Sequence, residues 1–116
     1  MAVPARYDLK VYEGDDTILA FQWKDVNGIP KDLGTSSIKL GAKRAYTDDT
    51  LLFSVTGQII NAPLGKFAVA IPSGITTGVT GGKVTDLVYD IEIILPSGLI
   101  QTLFHGYMIV QPEVYR

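Results

Sequence analysis

From Asp86 to Val110 the chain alternates in a way that only a long pair of strands satisfies. Leu87, Tyr89, Ile91, Ile93 and Leu95 are interleaved with Val88, Asp90, Glu92 and Ile94. Pro96-Ser97-Gly98 breaks the run, and a second apolar segment extends from Leu99 to Val110. Period-two alternation, a Pro/Gly break and a second β-rich run predict a long β-hairpin. That places the chain in the β class and suits a scaffold better than a reaction centre.

The remaining segments follow the same grammar. Tyr7 to Tyr12 alternates as a first strand, and Glu13-Gly14-Asp15-Asp16 is a turn in which Gly takes positive φ and Asp caps the bend. Thr17 to Lys24 is a second strand with Leu19, Phe21 and Trp23 on one face. Asn27-Gly28 is a hairpin signal because both residues tolerate positive φ. Pro30 to Leu33 is expected as a short edge strand, where proline loses no ladder bond. Ser37 to Tyr46 follows, with Ile38, Leu40 and Ala42 facing in, then a polar tip at Thr47 to Thr50. Leu51–Val55, Gln58–Ala62 and Lys66–Ile71 complete the strands before the hairpin. Pro72 to Thr85 has no period and is glycine-rich, with room for one helical turn near Ile75. No long amphipathic helix is expected.

Seven to nine short strands with turn signals about every 8–12 residues predict a single all-β sandwich of immunoglobulin-like or jelly-roll type, with extended termini. The expected organisation is an N-terminal arm over residues 1–6, a sandwich domain over 7–110 and a C-terminal tail over 111–116. Trp23, the one tryptophan, is expected in the core.

Composition narrows the function classes. A formal net charge of −2 lacks the cationic footprint of a general nucleic-acid binder, and Lys43-Arg44 is the only basic pair. With no cysteine, thiolate metal sites and cysteine nucleophiles are excluded. No apolar run approaches a bilayer span, and the first residues lack the basic and apolar regions of a signal peptide. The chain is expected to be made in the cytoplasm.

Motifs for chemistry are incomplete. Gly78-Val79-Thr80-Gly81-Gly82-Lys83 lacks the first glycine of a phosphate loop, since Thr77 stands there, and Val84 replaces the metal-binding hydroxyl; a mobile loop is expected. His105 is the single histidine, so a two-imidazole site is impossible within one chain, and no nucleophile elbow is present. Asp90 and Glu92, about 7 Å apart along a strand, approach a glycosidase spacing, but solvated outer-face charges fit better. Asp15-Asp16 and Asp48-Asp49 follow no calcium-loop pattern. No catalytic residue, metal or cofactor is expected.

Four segments carry a resemblance. They are Tyr7 through Asp16; Phe21 through Pro30 with Asp32-Leu33; Tyr89-Asp90-Ile91-Glu92-Ile93 with Pro96-Ser97-Gly98; and Gly106 through Val110 with Pro112-Glu113-Val114. In that order they resemble a family of small β-sandwich structural proteins of tailed bacteriophages and prophages. A looser likeness is to the N-terminal domain of baseplate receptor-binding adaptors. His105 stands where the family usually has an acidic residue, and Gly74 to Thr85 replaces a shorter, alanine-rich segment.

The resemblance implies a non-enzymatic virion structural protein, either a head decoration or cement protein or an adaptor in tail, baseplate or fibre. Its partners would be other virion proteins and copies of itself, with no nucleic acid or membrane. Both chain ends contain proline and suit addition to a neighbour's sheet edge; the candidate contacts are Val3, Pro4, Arg6, Pro112, Val114 and Tyr115. The alternative is a host-surface carbohydrate-binding module using Tyr12, Tyr46 and Tyr107 with loop carboxylates.

Overall fold

A computed structural model describes residues 5–112. Val3, Pro4, Val114 and Tyr115 therefore lie outside the described residues. Among the described residues nine strands form two sheets: β1 (Ala5–Arg6), β2 (Leu9–Tyr12), β3 (Thr17–Gln22), β4 (Ser37–Lys43), β5 (Phe53–Thr56), β6 (Gln58–Asn61), β7 (Lys66–Ile71), β8 (Thr85–Ile94) and β9 (Ile100–Gln111), with one helical turn, α1 (Ser73–Thr76). The larger sheet runs β1-β9-β8-β4-β5, with β2 also on β9; the smaller runs β3-β7-β6. The protein is an all-β sandwich. Six strands lie in one sheet and three in the other.

The β8–β9 hairpin is the spine. Its two strands pair from Thr85↔Val110 to Ile94↔Ile100. Its turn and the Asp25–Ile29 turn share one construction. Gly98 N–H donates to Leu95 O and Leu95 N–H to Leu99 O; Gly28 N–H donates to Asp25 O and Asp25 N–H to Ile29 O. Each is a type I turn closed by a left-handed glycine, with φ of 91° at Gly98 and 80° at Gly28. Asn27 keeps negative φ. The three-residue loop needs only one left-handed residue, so the expected Asn-Gly pairing of positive φ does not occur.

Alternation sorts core from surface as the pattern predicts. Ile38, Leu40 and Ala42 from β4, Phe67, Val69 and Ile71 from β7, and Leu87, Tyr89, Ile91 and Ile93 from β8 are all buried. Met108 and Val110 of β9 and Leu9 and Val11 of β2 complete this layer. Each fully buried aliphatic side chain contributes roughly 1.5–3 kcal/mol. Trp23 is in the core, with the Lys31 ammonium 4.4 Å from its ring centroid.

Several boundaries differ from the periodicity. Tyr7 to Tyr12 is not one strand. Ala5–Arg6 and Leu9–Tyr12 both pair in parallel with β9, and Tyr7–Asp8 interrupts them. There Asp8 Oδ1 accepts the Tyr107 N–H, so a carboxylate replaces a ladder carbonyl. Gly106 makes this approach possible: a Cβ at that position would sit 2.6 Å from Tyr7 O. The two described residues of the expected N-terminal arm thus pair with their own chain. Pro30 to Leu33 shrinks to a single Lys24↔Pro30 bridge, because Asp32 turns its carboxylate onto Gly34 N–H. β4 ends at Lys43 rather than Tyr46.

The glycine-rich loop is tethered rather than loose. α1 sits where one turn was expected, near Ile75. Thr76, 1% exposed, accepts the Gly14 N–H at 2.9 Å. Asp16 Oδ1 accepts Ser73 N–H at 2.8 Å and Glu13 Oε2 accepts Thr80 N–H at 2.7 Å. The acidic turn after β2 therefore serves as the loop's anchor. No described helix is long and apolar enough to cross a membrane.

Candidate functional site

The outer face of the larger sheet carries a concavity that holds several polar side chains. Register brings its parts together. On β8, Val88, Asp90 and Glu92 point away from the core; Asp90 stands between Gly41 on β4 and His105 on β9. Gly41 lacks a side chain, and Leu51 from the β4–β5 connection folds over it; a Cβ there would meet Leu51 Cδ2 at 3.0 Å. The result is a hollow of about 270 Å³ walled by Lys43, Tyr46, Leu51, Asp90, Thr102 and His105. Asp90 and Glu92 were expected as solvated outer-face charges. The overhang of the β4–β5 connection makes the face concave.

Burial under that overhang raises the Asp90 pKa above the ordinary carboxylate value, although Lys43 and His105 pull it back down. No ion pair joins Asp90 to Lys43 or His105 among the described residues; the ion pair on this face is Arg6–Asp8 at 3.6 Å. Lys43 Nζ donates to Asp48 O at 2.7 Å, which also pins the loop. Glu92 does not line the hollow. It lies opposite Lys39 and Thr102, beyond a register shift between Ile91 and Glu92. The two carboxylates thus do not face one another across a cleft. The arrangement offers a half-buried carboxyl, an imidazole and a hydroxyl to a polar ligand.

The other candidate residues are dispersed. Lys43 and Arg44 point apart, Arg44 donating to Val79 O at 3.1 Å; they form no joint basic patch. Arg6 lies on the same face beside His105, its guanidinium 5.4 Å from the Tyr107 ring centroid. Pro112 follows the end of β9 and is half-buried. Of the three tyrosines, Tyr46 lines the hollow and Tyr107 sits opposite Val88 at its margin. Tyr12 lies opposite Gln111, about 13 Å further along the strand direction. Among the described residues no group of three or more His, Cys, Asp or Glu is placed to share a metal ion. Thr102 and Leu51 carried no signal in the sequence. A loop folding back over a strand glycine leaves no periodicity to detect.

No protein-family model matches this chain, and no curated protein matches it.

Proposed function

We propose that this protein is a non-enzymatic structural component of a tailed-phage virion that assembles through subunit contacts. It would act as a head decoration or cement protein or as an adaptor in the tail, baseplate or fibre attachment. The observation that carries the proposal is the outer face of the smaller sheet. Ile18 and Ala20 of β3, Ala68 and Ala70 of β7 and Ile60 of β6 alternate with the core-facing positions. Ile18 is 76% and Ile60 63% exposed. A small-residue, apolar sheet face that no described element covers is the kind of surface that marks an interaction site. The segment resemblance supplies the particle.

The test is incorporation. Purified particles should contain the chain, and Ile60→Lys with Ala70→Lys should exclude it while leaving its circular dichroism unchanged. Particles that lack the wild-type chain, or that take up the double variant normally, sink the proposal.

A carbohydrate-binding role is the second reading, favoured by Tyr46 and Tyr107 flanking a hollow that holds Asp90 and His105. Host-surface oligosaccharide should then perturb the amide signals of Asp90 and His105 in an NMR titration. Absence of any shift at millimolar ligand, the weak end of specific binding, removes it.

A further inference from the structure

Sheet edges present unpaired main-chain groups, and proteins guard them with charge, proline, bulges or brevity. Three edges of this sandwich are guarded. The β1/β2 edge is interrupted at Tyr7–Asp8 and carries Arg6 and Lys10. β5 and β6 are four residues each, and β6 has a register break between Ile59 and Asn61. β3 is different: Thr-Ile-Leu-Ala-Phe-Gln, with no charge, no proline and an unbroken register against β7.

The phase of its hydrogen bonding is fixed. Trp23 N–H donates to Gly65 O, which continues the ladder beyond Gln22↔Lys66. Odd-numbered residues therefore turn their main chain toward β7, and Ile18, Ala20 and Gln22 turn theirs to the side that no described strand pairs with. Beside that edge lies a groove of about 590 Å³, lined in part by Leu9, Leu19, Phe21 and Phe104.

We propose that the β3 edge is a homodimer seam, closed by antiparallel addition of β3 from a second copy across a twofold axis at Ala20. In this register Ala20 meets the partner's Ala20 and Ile18 meets the partner's Gln22, with about six main-chain hydrogen bonds formed. Leu19 meets the partner's Phe21 on the core side, adding apolar surface at the groove. Asp16 falls opposite the partner's Lys24 at both ends, so opposite charges bracket an uncharged seam. Residues 17–22 thus satisfy one another in hydrogen-bond phase and in facing, and the flanking Asp16 and Lys24 do so in charge, as an isologous interface requires. That self-match identifies the occupant as a second copy of this chain.

Light scattering and sedimentation equilibrium on the purified chain test it. The expected mass is twice 12.6 kDa, falling on dilution. Ala20→Pro removes an N–H that has no partner among the described residues, so the folded monomer persists and the dimer is lost. Ala20→Lys and Ala20→Glu should each be monomeric, and mixing the two should restore the doubled mass. A wild-type chain that stays monomeric at about 100 μM, far above a micromolar dissociation constant, overturns the proposal. So does a dimer that survives Ala20→Lys, or a Lys/Glu mixture that stays monomeric. The outcome is read in solution, so it stands or falls separately from incorporation into a particle.

Discussion

Asp90 shows how one loop changes the chemistry of a residue whose position in the strand was evident. By alternation it is an outer-face carboxylate like Glu92. Gly41 beside it and Leu51 above it remove part of its water, and the neutral form gains. The folded chain then holds the Asp90 proton more tightly than the unfolded chain, whose carboxyl titrates near 3.8. Stability contributed by this group is therefore lost as pH rises from that value through the folded one. Asp90→Asn should raise the thermal midpoint at pH 7, and the gain should shrink as pH falls toward 4. Melting curves at the two pH values check this. A variant less stable at pH 7 would mean that attraction from Lys43 and His105 outweighs burial.

At the scale of elements, the acidic turn after β2 and the glycine-rich loop behave as one unit. Glu13, Gly14 and Asp16 bond to Thr80, Thr76 and Ser73 across more than fifty residues of sequence. Hydrogen bonds to a charged acceptor are stronger than neutral ones. Glu13→Ala should cost about 1.5–3 kcal/mol and speed amide exchange at Thr80 well before exchange in β8. Exchange at Thr80 unchanged by the substitution would show that Thr76 and Asp16 alone hold the loop.

This tether also marks where sequence stops informing. Strand identity was legible because Ile38, Leu40, Ala42, Phe67, Val69 and Ile71 each obey the two-residue period of a half-buried strand, and that period is local. The partners of Glu13 and Asp16 were not legible, since a carboxylate in a turn looks alike whether it faces water or an amide 67 residues away. The hollow was equally hidden. Asp90 and His105 could be placed on a common face, but the cover from Leu51 and Tyr46 depends on how a polar tip folds back. Asp8 was hidden for a related reason, because its side chain takes a place in the ladder that alternation assigns to the main chain.

For the whole molecule, the decisive join is between its ends. β1 and β2 pair in parallel with β9, uniting residues about a hundred positions apart, as the Tyr107–Asp8 bond with its separation of 99 shows. Tyr89, buried in the central hairpin strand, clamps the same join by donating its hydroxyl to Tyr7 O. The β8–β9 hairpin needs only its own short turn to form, whereas β2 must close a loop spanning nearly the whole chain. Closure of long loops carries the larger entropy cost, so the hairpin is expected in the folding transition state and β2 to dock after it. Leu9, 4% exposed and in the β2–β9 ladder, reports on that order. Leu9→Ala should destabilise the protein by about 2–5 kcal/mol, and the loss should appear almost wholly as faster unfolding in stopped-flow denaturant kinetics. A matching loss in the folding rate would instead place the union of the two chain ends inside the nucleus, with the parallel join guiding the sandwich rather than sealing it.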